Sequence, residues 1–151
     1  MEIKNILIDD FNDPDFRAMF KRYFDELNVK VNEWDKLFDL MNREKRNFAY
    51  IRYLDDIPIG FIQFTVITFS GGFFEAKMGF IREFWIDGEY RGKGHGSELL
   101  CLAEEYFISN GVYKSILTTD TAERFYIRHG YTKDVDIKAK NNFAVFVKAL
   151  R

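Results

Sequence analysis

In the stretch DGEYRGKGHGSELLCLAEEYF, residues 87–107, three glycines fall on alternate positions. Gly92, Gly94 and Gly96 are interleaved with Lys93 and His95, between an aromatic-rich strand pattern and an amphipathic helical run. A strand that turns through glycines into a helix is suited to holding a phosphate. The first helical N–H groups lack internal partners, and the helix dipole favours an anion there. Glycine lets the main chain approach a ligand with no Cβ in the way and accepts positive φ. Arg91 and Lys93 add positive charge at the same point, and Ser97 offers a cap or a hydroxyl. The two best-known phosphate patterns do not fit. A P-loop needs Lys and then Ser or Thr after its last glycine, whereas here His95 follows Gly94 and Ser97 follows Gly96. The dinucleotide fingerprint needs a sixth-position glycine, which from Gly92 is Ser97. On spacing alone the loop reads equally as a tight turn.

A second group stands out upstream. Glu83 lies within FIREFWI, where a charge is unexpected if both faces of the strand are buried. Alternation places it on the face of Ile81 and Trp85. It is either a functional carboxylate or a strand-edge residue paired with Arg82, Arg91 or a lysine. His95 and His129 are the only histidines. His95 sits where its main-chain N–H matters more than its ring, and His129, next to Gly130, is expected to face solvent. Cys101, the sole cysteine, falls on the helix side opposite Leu99, Ala103 and Tyr106, with Glu98 and Glu105. No base partner marks it as a nucleophile, no disulfide can form, and no Cys/His cluster has zinc spacing, so no metal is expected.

These groups need elements to position them. The chain has 151 residues and is 47% hydrophobic, which suits one domain, residues 1–151, with a full core. A net charge of -2 gives no positive field for nucleic acid. The acidic N-terminus does not read as a signal peptide, and no apolar stretch is long enough to span a bilayer, so a cytoplasmic location is expected. Residues 2–8 read as a strand. Asp13 and Pro14 start a helix carrying Phe16, Met19, Phe20, Tyr23, Phe24 and Leu27 at helical spacing. Asn32 is placed to cap a second helix, with Arg43, Lys45 and Arg46 at its end. Strands are expected at 48–54, 59–69 and 77–86, with turns at Asp55–Pro58 and Gly71–Gly72. A helix over 96–109, a short buried strand at 114–119, and a helix over 121–129 stopped by Gly130 follow. Two last strands, YTKDVDIK and FAVFVKAL, are joined through Asn141 and Asn142. The order β-α-α-β-β-β-α-β-α-β-β is α+β, with an antiparallel meander and one strand–helix–strand crossover.

With these elements in place, the chain resembles the GNAT superfamily of acetyl-CoA-dependent N-acetyltransferases. That family's signature is Arg or Gln, two residues, Gly, one residue, then Gly or Ala, and Arg91, Gly94 and Gly96 supply it. Downstream, Ala122, Phe125-Tyr126 and Gly130-Tyr131 match its second pattern. The resemblance is specific over about residues 78–132 and architectural elsewhere. It implies a mixed, mostly antiparallel central sheet of six to seven strands with helices on both faces. It implies acetyl-CoA as cosubstrate and direct attack of a neutral amine on the thioester. The main-chain N–H groups of Lys93, Gly94, His95, Gly96 and Ser97 would then cradle the diphosphate, next to Arg91 and Gly92. The backbone of Phe84, Trp85 and Ile86 would pair with the pantetheine arm. Tyr126 would act as general acid toward the leaving thiolate, the alternative being a packed helix tyrosine. Glu83 would act as general base, directly or through water. Thr119 stands where the family often has a cofactor-contacting Asn, and its hydroxyl can still hydrogen-bond.

The family builds its acceptor site mostly from the two N-terminal helices, which here are acidic and aromatic. A cationic small-molecule amine suits such walls, although helical spacing also makes the aromatics core residues. A peptide or protein amine is the alternative acceptor, and a non-catalytic CoA-binding module the rival from another class. No nucleic acid or membrane partner is expected, and a homodimer is an expectation from the family.

Overall fold

The computed structural model describes residues 1–44 and 46–151. Among these, β1 (Ile3–Ile8) leads into α1 (Pro14–Glu26) and α2 (Trp34–Arg43). β2 (Asn47–Leu54), β3 (Ile57–Gly71) and β4 (Phe74–Ile86) follow as a meander. A 3-10 turn at Gly88–Tyr90 precedes α3 (His95–Ser109), and β5 (Lys114–Thr119) and α4 (Glu123–Arg128) come next. β6 (Thr132–Lys133) and β7 (Ala144–Ala149) close the chain. The sheet order is β1-β2-β3-β4-β5-β7-β6, and only β4 and β5 are parallel neighbours.

Local chemistry sets most of these boundaries. The Asp13 carboxylate accepts from the N–H groups of Asp15 and Phe16, both at 3.0 Å, and Pro14 opens α1. Asp55 and Asp56 both take positive φ, 48° and 66°, in a two-residue hairpin turn, so β3 starts at Ile57. Two expectations are corrected. Glu33, not Asn32, caps α2, and it makes no side-chain bond. Burial of Phe38 and Met41 sets that helix's register. A cap is worth about 1 kcal/mol, and each buried apolar side chain about 1.5–3 kcal/mol. Arg43 occupies the last turn of α2, and Lys45 lies outside the described residues. The strand expected over 131–138 shrinks to Thr132–Lys133. The Asp134 carboxylate accepts from the N–H groups of Asp136 and Ile137, at 3.0 and 3.3 Å, and this local turn takes donors a ladder would need.

Two cores flank the sheet. On one face α1 and α2 bury Phe16, Phe20 and Phe38 against Ala49, Ile51 and Phe61. On the other, α3 packs Leu99, Leu100 and Phe107 against Ile62, Phe64 and Ile81. One irregularity matters for the site. Ile62 pairs with Phe84 and Phe64 pairs with Ile81, so β4 uses one more residue than β3 between the two pairs. This bulge breaks the alternation read from sequence. Ile81, Phe84 and Ile86 belong to the α3 side, while Trp85 belongs to the α1 side. Glu83 therefore keeps company with Trp85 but not with Ile81.

Candidate active site

β4 and β5 are registered at only two positions, Gly79–Ser115 and Phe80–Ile116. Beyond these the strands diverge. The main chain of 84–86 then has β3 on one side and an open edge on the other. A cavity of about 820 Å³ lies at the divergence, within the size range of small-ligand sites. Phe84, Trp85 and Ile86 form its floor, and the loop residues Gly92, Gly94 and Ser97 form one end. Tyr126 of α4 and Ala122, which caps that helix, close one side, and Tyr23 and Glu26 of α1 close another.

The glycine loop leaves its main chain bare. Gly94 caps α3 at φ 89°, and a Cβ built there meets no atom within 4 Å. Side chains would be strained at that φ and would project into open space. The loop's free helical N–H groups and open surface fit an anionic linker of CoA. The side chains around it are already engaged. Arg91 donates from Nε to the Ile86 carbonyl at 2.7 Å and from Nη2 to Glu26 at 2.7 Å. Lys93 is exposed. His95 is buried, and its Nδ1 accepts from Arg52 Nε at 2.9 Å.

Ser97 does not cap α3, because Gly94 holds that position. Its hydroxyl lies 2.9 Å from His129 Nε2, and His129 Nδ1 lies 2.7 Å from the Phe125 carbonyl. A carbonyl only accepts, so Nδ1 carries the proton and, in the neutral ring, Nε2 accepts from Ser97. His129 thus lines the cavity, packed on Phe125 at 4.5 Å, rather than facing solvent. Thr119 sits at the end of β5, where its hydroxyl accepts from the Ala122 N–H at 3.1 Å and steadies the entry to α4.

Tyr23 and Tyr126 line the cavity, whereas Glu83 is half-buried and does not line it, reaching it through Tyr23. Tyr23 donates to Glu83 at 3.3 Å. Burial pushes the Glu83 carboxyl above its ordinary value, opposed by the Tyr23 hydrogen bond and the charge of Arg82. The sequence alternatives for Glu83 are spent elsewhere, since Arg82 pairs with Glu44 and Arg91 with Glu26. Tyr126 is 7% exposed, and burial, then the Glu83 charge, drives its phenol well above the usual tyrosine value. A carboxylate raised toward neutrality is a better match for proton transfer near pH 7 than a solvated one.

A model of the acetyltransferase (GNAT) family matches residues 2–131. The chain belongs to the GNAT acetyltransferase family. It is an acetyl-CoA-dependent acyltransferase of that family. Its mixed sheet with helices on both faces is the GNAT fold, as the solved structures also show. The PaiA N-acetyltransferase of Thermoplasma acidophilum, in complex with coenzyme A, is 16% identical with a TM-score of 0.70, over 99% of each chain. A predicted acetyltransferase of Clostridium acetobutylicum, with acetyl-CoA, is 14% identical with a TM-score of 0.78, over 91% of this chain and 95% of that one. The NatC complex bound to Gag peptide and CoA contributes a chain 17% identical with a TM-score of 0.69, over all of both chains. No curated protein matches by sequence. No helix among the described residues is long and apolar enough to cross a membrane.

Against this GNAT frame, the sequence reading missed Tyr23, Glu26 and His129 as cavity residues. Tyr23 falls on an apolar helix face and meets Glu83 only because α1 crosses β4. Most of the aromatic N-terminal wall is core, with Phe16, Phe20 and Phe38 fully buried.

Proposed function

We propose that the protein transfers the acetyl group of acetyl-CoA to a primary amine by direct attack, in the cytoplasm, with a small-molecule acceptor. The observation carrying this reading is a cavity that joins a bare glycine loop to the buried phenol of Tyr126, with the half-buried Glu83 carboxylate hydrogen-bonded to the cavity residue Tyr23. In this reading the N–H groups of residues 93–97 hold the diphosphate beside Arg91 and Gly92, and the open edge of 84–86 pairs with the pantetheine arm. Thr119 contributes by holding α4 through Ala122.

Glu83 accepts the proton of the attacking amine, directly or through one water. Tyr126 donates to the departing thiolate. Its raised pKa does not disqualify it, because the burial that disfavours a phenolate disfavours a thiolate in the same place. Once Glu83 is protonated, the negative charge that helps to raise the Tyr126 pKa is gone. Deprotonation of the amine therefore makes the phenol a better acid when the leaving group needs it.

In this reading Glu26 and Tyr23 wall the acceptor side, and Arg22 over Trp85 at 4.9 Å is an instance of the cation–π contact that such an aromatic wall offers. These features support a cationic amine of modest size. A thiol-release assay with a panel of small amines, peptides and no acceptor tests the proposal. Turnover with small amines is expected. Turnover only with peptides would reassign the acceptor class, as in the peptide-bound NatC complex. CoA binding without any turnover would make the chain a non-catalytic binding module.

A further inference from the structure

Directly beneath the glycine loop lies a buried cation that no part of the acetyl-transfer scheme requires. Arg52, in β2, is 1% exposed. Its three nitrogens reach three side chains on two elements, β1 and α3. Nε donates to His95 Nδ1 at 2.9 Å, Nη1 to Asn5 Oδ1 at 3.1 Å in β1, and Nη2 pairs with Glu98 in the first turn of α3. A guanidinium is always charged and only donates, so a buried one is costly unless each donor is met. Here the partners are set at the first and fourth residues of α3, the helix whose N-terminus ends the loop.

The hydrogen bond fixes the state of His95. Because Arg52 Nε cannot accept, His95 Nδ1 must be bare, and the ring proton must sit on Nε2. An imidazolium would turn N–H against N–H and break the bond. We propose that Arg52 is a positioning residue for the diphosphate loop: it locks His95 as the neutral Nε2–H tautomer and clamps the start of α3 to β1 and β2. The charges facing the ring agree with a neutral state. Burial and the Arg52 charge lower the His95 pKa, Lys93 adds to this, and Glu98 alone opposes it. A loop built this way grips its ligand without drawing on a titrating group.

This inference rests on the loop being the diphosphate site, and its test separates the two. The first arm uses the wild-type protein alone, by 15N NMR of the histidine rings. The expected result is a His95 ring with bare Nδ1 and protonated Nε2 that does not titrate between about pH 5 and 8. A ring with its proton on Nδ1, or one titrating in the ordinary range, overturns the proposal. The second arm measures acetyl-CoA affinity and kinetics. Arg52→Met is expected to raise the acetyl-CoA Kd and KM by about 10-fold, the usual scale of a lost hydrogen bond to a charged group, with kcat changed far less. In that variant His95 becomes free to protonate, so binding should tighten as pH falls, whereas wild-type binding stays flat. Arg52→Lys should restore part of the affinity, since it returns the charge without the fork. Unchanged affinity and a flat pH profile in Arg52→Met would sink the positioning role, and so would a kcat loss with KM intact. If Arg52→Met does not fold, the wild-type spectrum and Arg52→Lys decide. Wild-type protein that binds no CoA would overturn the site reading itself, whatever the ring shows.

Discussion

In the proposed mechanism Tyr126 and Glu83 carry opposite protonation tasks, so their variants should separate. Tyr126→Phe removes a proton donor but keeps the ring and its edge contacts with Phe125 and Tyr131. Turnover should fall by about 100-fold or more, with acetyl-CoA affinity within a factor of two or so, measured by steady-state kinetics and calorimetry. Undiminished turnover would remove Tyr126 as the acid. Glu83→Gln should slow the reaction at neutral pH and erase the acidic limb of the kcat/KM profile. In the wild type that limb lies above the ordinary carboxylate value of 4.5, because burial raises the Glu83 pKa.

At the scale of elements, the cavity exists because β4 and β5 part after two registered pairs and because α3 starts on a left-handed glycine. Gly94→Val should abolish the calorimetric heat of CoA binding, since any side chain there enters the open space the ligand would use. Normal binding in that variant would contradict the cradle. A different glycine sets the spacing of the layers. A Cβ on Gly79 would lie 2.5 Å from the ring of Phe107, which is fully buried. Gly79→Ala should cost about 1–3 kcal/mol in urea unfolding, the usual toll of overpacking, and pushes α3 away from β4. The β4 bulge belongs to this scale too. It turns Glu83 toward α1 while Phe84 and Ile86 stay on the α3 side.

For the whole molecule, the site has a cost in stability. A carboxyl whose pKa is raised on folding binds more protons in the native state than in the unfolded one. Stability therefore falls as pH climbs from the unfolded Glu83 value through the raised folded one. Glu83→Gln should lose that part of the pH dependence and raise Tm at neutral pH, even as it loses activity. Equal Tm values for the two proteins at pH 5 and pH 8 would refute this. Phe61 links this site to the larger core. Its ring meets Phe16, Phe20, Tyr23 and Trp85, of which the last two line the cavity. Phe61→Ala should destabilise by about 3–5 kcal/mol and should also raise KM, because both cavity rings lose their support.

The order of elements, the start of α1, the hairpin turns and the glycine signature were all legible in the sequence. Each depends on contacts within a few residues: Asp13 to its own helix, positive φ at Asp55 and Asp56, glycines ahead of helical donors. Local energies of this kind are written in adjacent residue types. The face of Glu83 was misread, since a bulge depends on how two strands register and alternation assumes none. The shortened β6 followed from a side-chain turn at Asp134 that competes with the ladder. The partners that define the site lie far apart in the chain: Tyr23 with Glu83, Ser97 with His129, Arg52 with His95. Their meeting is decided by helix packing across a splayed sheet, which no short-range pattern encodes. The residue types therefore told which chemistry was available, and only the tertiary structure decided which groups are buried together and so which protons they can exchange.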